Sequence, residues 1–240
     1  MRNVLAALTV GLFSLAAGCM SDLSTVAITI PKEKAANEEA ARQKLIDTVK
    51  RRGGNVAVDG KDQHKPVVIV DLHGIRNASE VLAALGPLTK LRDVNLYHTG
   101  FTDTDLGRLR GLANVQELNL NADAITDAGL AIVGELHSLH ELDLNDTGVT
   151  DAGLKSLAGL TNLRALYLEN TRVTDEGLAH LRGMKDLEKL GLYGDRITDQ
   201  GLASLKGLAN LRQLRVHHTQ VTDLGVQDLQ RALPKLIIVR

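Results

Sequence analysis

The chain has 240 residues, a formal net charge of −1, 2% aromatic residues and one cysteine. Scattered lysines and arginines form no basic stripe of the kind that nucleic acid requires, and the scarcity of aromatic rings weakens the case for base stacking as well. A single cysteine cannot form an internal disulfide bond. The core must therefore be built from leucine, valine and isoleucine.

The N-terminal segment has the pattern of an export signal followed by an anchor. Residues 1–18 combine a positive charge at Arg2 with an apolar run that is typical of a signal peptide and too short to cross a bilayer comfortably. Leu15-Ala16-Ala17-Gly18-Cys19 resembles a bacterial lipobox, from which it departs at Ala16. We expect a lipid anchor at Cys19 and a lipidated tether over residues 19–31. An ordinary signal peptide that happens to contain a cysteine is the alternative.

Residues 32–66 are predicted to form an N-terminal cap. Helix-forming residues with apolar side chains on one face run from Lys32 to Arg52. Gly53-Gly54 ends this helix, Val56–Val58 has the composition of a short strand, and Asp59-Gly60 is typical of a turn. A helix and a hairpin at this place would cover the first unit of the repeat that follows.

The chain then repeats with a period of 24 residues over residues 67–240. Seven units begin at Val67, Leu91, Val115, Leu139, Leu163, Leu187 and Leu211. Within a unit, apolar residues first recur at every second position and then at every third or fourth position. This change predicts a strand followed by a helix. The first unit is degenerate, with Asn77-Ala78-Ser79 in place of Val-Thr-Asp, and residues 236–239 are predicted to form a closing strand. A fixed short period indicates an α/β solenoid of stacked units.

Two polar columns recur in the units and have structural explanations. Each Thr-Asp pair, at residues 102, 126, 150, 174, 198 and 222 for the threonine, precedes a predicted helix. Threonine is a good N-cap, and aspartate in the first turn meets the positive end of the helix dipole. The ninth residue of the six later units is threonine or aspartate, at positions 99, 123, 147, 171, 195 and 219. These short side chains are expected to point inward and bond to buried backbone groups.

The repeat resembles that of the leucine-rich repeat family. Leu139-x-x-Leu142-x-Leu144-x-x-Thr147-x-Val149 follows the family pattern, except that Thr147 and Val149 replace its last two residues. The Thr-Asp-x-Gly-Leu segment is similar to the cysteine-containing subtype, and the whole resembles bacterial leucine-rich-repeat lipoproteins. The resemblance implies a curved horseshoe with a parallel sheet on the concave side and helices on the convex side. It also implies a non-enzymatic protein-recognition scaffold.

The third, fifth and seventh residues of each unit are expected to face outward on the concave side, since alternate strand residues point to opposite faces. All three tyrosines lie there, with an acidic centre followed by a basic or neutral end. Exposed tyrosines among polar groups are typical of protein-binding surfaces, and folding gains nothing obvious from the acids. A solvated face of chance composition is the alternative. The predicted partner-binding residues are Tyr97, Glu117, Glu141, Asp143, Asp146, Tyr167, Glu169, Tyr193, Arg215 and His217.

We therefore expect a monomeric, membrane-anchored scaffold in the cell envelope, either periplasmic or at the cell surface, that binds a protein. An envelope structural component that binds glycan or a divalent cation is the alternative. The sequence contains no G-x-S-x-G, H-E-x-x-H or C-x-x-C motif, so we predict no enzymatic activity, no cofactor, no metal site and no nucleic-acid partner.

Overall fold

The computed structural model describes residues 32–76 and 79–240, without the side chains of residues 32–38, 79, 80 and 83. The predicted signal peptide, Cys19 and the tether lie outside the described residues, as do Asn77 and Ala78. Among the helices of the described ranges, none is both long and apolar enough to cross a bilayer.

The strands of the described chain form a single sheet whose spatial order is the order in sequence. They are β1 Asn55–Val58, β2 Val67–Asp71, β3 Asp93–Asn95, β4 Glu117–Asn119, β5 Glu141–Asp143, β6 Ala165–Tyr167, β7 Lys189–Gly191, β8 Gln213–Arg215 and β9 Ile237–Val239. β1 pairs antiparallel with β2, and every later pair is parallel. Each parallel pair joins residues 24 apart in sequence, so the period of the repeat is the register of the sheet.

The helices lie before β1 and between the successive parallel strands. They are α1 Lys32–Arg51, α2 Ser79–Leu85, α3 Asp103–Leu106, α4 Asp127–Val133, α5 Asp151–Leu157, α6 Asp175–Leu178, α7 Asp199–Leu205 and α8 Asp223–Ala232, with 3₁₀ helices at Gly107–Leu109 and Ala179–Gly183. Threonine precedes each helix from α3 to α8, as predicted, and the hydroxyls of Thr126, Thr150, Thr174 and Thr198 accept backbone N–H groups of the first turn.

One apolar core runs the length of the stack. Leu118, Leu142 and Leu166 are inward neighbours on three successive strands, and helix residues such as Leu154 close the core from the other side. The solenoid and its parallel sheet are confirmed. The helix and strand predicted before the first unit are observed as α1 and β1, and their role as a protective cap stays a prediction.

The inward polar residues at the ends of the strands bond to backbone, as expected. The carboxylate of Asp123 accepts the N–H groups of Thr99 and Gly100 at 2.9 and 2.7 Å. The hydroxyl of Thr147 donates to the Leu144 carbonyl at 2.6 Å. Asp195 accepts from the N–H and hydroxyl of Thr171 with one oxygen, while its second oxygen is buried and has no hydrogen-bond partner in the described part of the chain.

The aspartates of the first five Thr-Asp pairs have a second role that the sequence did not indicate. The carboxylate of Asp175 reaches into the next unit and accepts the N–H and hydroxyl of Thr198 at 2.8 and 2.5 Å. The same two bonds join Asp103, Asp127, Asp151 and Asp199 to Thr126, Thr150, Thr174 and Thr222. We call this column the aspartate–threonine ladder. It binds each unit to its neighbour along the helical side of the stack.

The ladder explains the glycine of the Thr-Asp-x-Gly pattern. A Cβ atom at Gly201 would lie 2.3 Å from Asp175 Oδ1, and the equivalent distances at Gly153 and Gly177 are 2.4 and 2.3 Å. The unit that begins at Leu91 lacks this glycine, and the aspartate that the glycine would accommodate is absent as well, because the preceding unit has Ser79 at that position. Asp105 occupies the glycine position there, and its carboxylate accepts the N–H and hydroxyl of Thr102 at 3.0 and 2.9 Å.

Candidate binding surface

The concave side of the sheet presents the residues that the alternation predicted. In β5 the outward Glu141 and Asp143 flank the fully buried Leu142, and in β3 Asp93 and Asn95 flank Val94. Tyr97 is 42% exposed, Glu117 and Arg215 are exposed, and Tyr167, Glu169, Tyr193 and His217 are half-buried. Asp146 lies one residue beyond the outward row, in the turn that follows β5. The predicted residues therefore share one face, spread from the turn after β3 to the turn after β8.

The acidic part of this face extends further towards the N-terminus than the sequence analysis placed it. A depression of about 300 Å³ lies over β1–β5 and is bordered by five carboxylates, with Ile69 as an exposed apolar wall. The carboxylates belong to Asp71, Asp93, Glu117, Glu141 and Asp143. Asp71 and Asp93 were not among the predicted binding residues. They occupy the fifth and third positions of the first two units, so the register of the repeat was the signal that would have found them.

Electrostatic strain is concentrated in this depression. Burial, and after it the negative charges of Glu117, Asp71 and Glu141, together raise the pKa of Asp93 to about 6. Burial and then the charge of Glu117 also raise the pKa of Glu141, against the opposing effect of Lys189. Within the described residues, the carboxylates of Asp93, Glu117 and Glu141 have no hydrogen bond and no ion pair. They repel one another, and the charge of Lys189 offsets part of this repulsion at Glu141.

Two of the predicted acids serve the fold, which corrects the expectation that folding gains nothing from them. Asp143 accepts the N–H of Asn145 at 3.0 Å, which fixes the turn that follows β5. Burial raises the pKa of Asp143, while this hydrogen bond and one from Asn121 oppose the rise. Asp146 has a positive φ of 55° in that turn and accepts the side-chain amide of Asn170 at 3.0 Å. The functional contribution of the acids must therefore be tested at Asp93, Glu117 and Glu141.

The other end of the face is a cluster of aromatic and cationic side chains on β6–β8. Arg215 Nη1 donates to Glu169 Oε1 at 3.0 Å, and its guanidinium lies 6.0 Å from the centre of the Tyr167 ring. Glu169 reaches Arg215 across the backbone of Gly191, where a Cβ atom would lie 2.8 Å from Oε1. The Tyr193 ring lies 6.4 Å from that of His217 and 5.0 Å from that of His218, edge to face with the latter.

The chemistry available on this face is that of recognition. Carboxylates at one end and an arginine, a lysine and imidazoles at the other can form charged hydrogen bonds, and the tyrosines offer flat amphipathic surface. Among the described side chains, no group of three His, Cys, Asp or Glu is arranged to hold a metal ion.

Comparisons with known proteins agree with the architecture. A family model described as "Leucine Rich repeat" matches residues 135–158 and 159–181. The chain is similar to internalin C2 of Listeria monocytogenes, with 25% identity and a TM-score of 0.60 over 83% of this chain and 81% of that one. It is also similar to a leucine-rich repeat protein of Leptospira interrogans, with 20% identity and a TM-score of 0.49 over 66% of this chain and 45% of that one. No curated protein matches the sequence.

Proposed function

We propose that this chain, which belongs to the leucine-rich repeat family, is a non-enzymatic scaffold that binds a protein partner through its concave sheet. The observation that carries the proposal is that the carboxylates of Asp93, Glu117 and Glu141 repel one another and form no ion pair in the described structure. Like charges on neighbouring strands destabilise a sheet, and in the described structure these three carboxylates make no hydrogen bond or ion pair that would offset the repulsion. A basic surface of a partner would relieve that repulsion.

The size of the face favours a macromolecular partner. Adjacent strands lie about 4.8 Å apart, so the seven strands from β2 to β8 span roughly 30 Å. The side chains on them are polar and aromatic, which is the composition of a protein-binding surface that remains exposed when no partner is bound. The tyrosines would supply contact that salt does not weaken, and the acids would supply contact that salt does weaken.

The test compares two triple variants of the full chain, immobilised and exposed to an envelope extract of the source organism. The first carries Asp93→Asn, Glu117→Gln and Glu141→Gln. The second is a matched control with the same change in charge, Glu135→Gln, Glu176→Gln and Asp186→Asn, at positions outside the concave sheet. We expect the first variant to have an unchanged or raised melting temperature and to retain less partner, and the control to retain as much as the wild type.

Retention should also fade as salt rises from about 0.05 to 0.5 M, because exposed charges are screened over shorter distances. A concave triple variant that keeps its partner but loses stability would show that these acids serve the fold, and the proposal would be wrong. Loss of retention in a chelator alone would favour the alternative of a cation-binding envelope component. Competition by soluble envelope glycan would favour the glycan version.

We further propose that the protein acts in the cell envelope, held on a membrane by a lipid at Cys19. The support is the charged, apolar and small-residue order of residues 1–19. Cys19→Ser should abolish incorporation of labelled fatty acid during expression, whereas Ser14→Ala, within the apolar run, should leave it intact. Labelling that persists in Cys19→Ser would exclude a lipid anchor at this residue.

A further inference from the structure

The strands β6–β8 carry a second charged surface, of the opposite sign to the depression. We define the cationic–aromatic patch as Tyr167, Lys189, Tyr193, Arg196, Arg215 and His217. Lys189 and Arg215 lie on the concave strands. Arg196 is exposed at the edge of the patch, past the turn that follows β7, where its backbone forms a β-bridge with that of Thr174, the residue before α6. The patch joins cations to two tyrosine rings within three adjacent units of the stack.

Arg215 is held in place before any partner arrives. Its guanidinium is fixed by the 3.0 Å bond to Glu169 and by the face of Tyr167 at 6.0 Å. That bond occupies one of its nitrogens, and the side chain remains 54% exposed. A guanidinium has five N–H donors in a planar fork, so donors remain for a further carboxylate. A fixed arginine loses little entropy on binding, which is the property of residues that dominate interface energies.

Two further cations of the patch are unpaired. Within the described structure, Lys189 and Arg196 have no ion pair and no side-chain hydrogen bond. Lys189 lies two strands from Glu141, with the small Ala165 between them in register, and its charge opposes the rise in the pKa of Glu141. Glu169, in the turn after β6, is the carboxylate that faces the patch. Lys189 and Arg196 therefore leave it with an excess of positive charge.

The acids on β3–β5 restrict where an acidic ligand can lie. Asp93, Glu117 and Glu141 repel carboxylates over the first strands, so an acidic segment is directed to β6–β8. From this complementarity we propose that the cationic–aromatic patch is the docking site for an acidic, tyrosine- or phenylalanine-containing segment of the protein partner. The proposal rests on the concave sheet being the binding face and adds the chemistry and position of one part of that partner.

The probe is a fluorescein-labelled peptide, Glu-Glu-Tyr-Glu-Glu-Tyr-Glu-Glu, titrated with the full chain and followed by fluorescence anisotropy. The comparison peptide replaces every glutamate with lysine. A single-stranded DNA oligonucleotide of similar charge represents another class of anionic macromolecule. We expect the acidic peptide to bind more tightly than the DNA, because the patch offers only two stacking rings on an open face, and we expect its binding to weaken with salt.

The decisive variant is Lys189→Gln with Arg196→Gln. It should weaken binding of the acidic peptide roughly 3- to 10-fold, since each exposed ion pair contributes less than a tenfold change. The matched control is Arg231→Gln with Lys235→Gln, which removes two exposed cations from α8 and the loop after it. This control should bind as the wild type does. Tyr193→Leu should weaken binding at high salt as well as at low salt, because it removes ring contact and no charge.

If the Lys189/Arg196 and Arg231/Lys235 double variants lose equal affinity for the acidic peptide, binding depends on net charge alone, and the docking site would be excluded. Equal binding of the DNA, or no binding of the acidic peptide, would also overturn the proposal. Suppose that the acidic peptide does not bind, but that neutralising Asp93, Glu117 and Glu141 still reduces retention of an envelope protein. The docking proposal is then wrong and the proposed scaffold function stands. If the peptide binds as expected and those acids have no effect, the patch stands and the proposed use of the depression falls.

Discussion

Replacing Gly201 with alanine tests the aspartate–threonine ladder at one of its steps. Gly201 lies in the first turn of α7, and its φ is outside the left-handed region, so alanine suits the backbone itself. The obstacle is the carboxylate of Asp175, which would lie 2.3 Å from the new methyl carbon. The nearest atom outside Asp175 is Leu178 Cδ1, at 3.1 Å, which is the end of a flexible side chain that can move. The effect of the methyl group therefore depends on Asp175.

The magnitude follows from the bonds that Asp175 must give up. Displacing the carboxylate breaks its bonds from the Thr198 N–H and hydroxyl, at 2.8 and 2.5 Å. Hydrogen bonds to charged groups contribute about 1.5–3 kcal/mol each, and water reaches the half-buried Thr198, so we expect a net loss of about 2–4 kcal/mol. Alanine in place of glycine in a helix gains about 0.4–1 kcal/mol. Gly201→Ala should therefore destabilise the wild type and be neutral or stabilising in Asp175→Ala.

The measurement is urea unfolding of the four chains of this double-mutant cycle at neutral pH, compared through their midpoints at equal slope. We expect a coupling free energy of about 2–4 kcal/mol between the two positions. If Gly201→Ala destabilises both backgrounds equally, the glycine is required for some reason other than the neighbouring aspartate. The chain already contains one such exchange, because Asp105 occupies the glycine position where the preceding unit has Ser79.

Three further outcomes are expected from thermal or urea melts of the full chain. Leu144→Ala should lower the free energy of unfolding by about 2–5 kcal/mol, because it opens a cavity in the core. Asp143→Asn keeps an acceptor for the Asn145 N–H, so its stability should stay near that of the wild type. Similar losses in the two variants would contradict the assignment of Leu144 to the buried face and Asp143 to the exposed face. Burial raises the pKa of Asp195 to about 7, so the native state binds more protons than the unfolded state and stability should fall as pH rises from about 4 through 7. Asp195→Asn should reduce this dependence of stability on pH. If the dependence persists unchanged in the variant, it arises from other titratable groups. Asp93→Asn should reduce the part of the dependence near pH 6 in the same way, because the pKa of Asp93 is raised to about 6.

Much of the fold was accessible from the sequence because a period of 24 residues fixes the register of every parallel pair. The change of apolar spacing inside each unit located the strand and the helix, and Leu142 and Leu144 are fully buried as their alternation predicted. What the pattern could not supply is contact between units. Helix capping explains why threonine precedes aspartate, but the reach of Asp175 to Thr198 depends on how closely successive helices stack, which spacing within one unit does not determine.

The sequence predicted which residues lie on the concave face, but it did not predict the hydrogen bonds and ion pairs that these residues make. Alternation placed Glu141 and Tyr167 on the concave face, since outward positions follow from the strand phase alone. The hydrogen bond that gives Asp143 a structural role depends on the turn after the strand. Glu169 and Arg215 pair across one intervening strand, β7, and the pair requires Gly191 in that strand. Neither residue could therefore be recognised as part of a fixed pair from its own unit.

The charge of the concave face changes along one row of the sheet, the third position of the units. The strand register aligns Asp93, Glu117, Glu141, Ala165, Lys189 and Gln213 at the third position of successive units. Along this row the side chains change from acidic through small and neutral to basic, while the inward neighbours remain valine or leucine. The fold accommodates acidic, small and basic side chains at the third position, because the inward residues and the ladder hold the units together. A partner with a basic region followed by an acidic one would match this row in one direction across the strands and be repelled in the other.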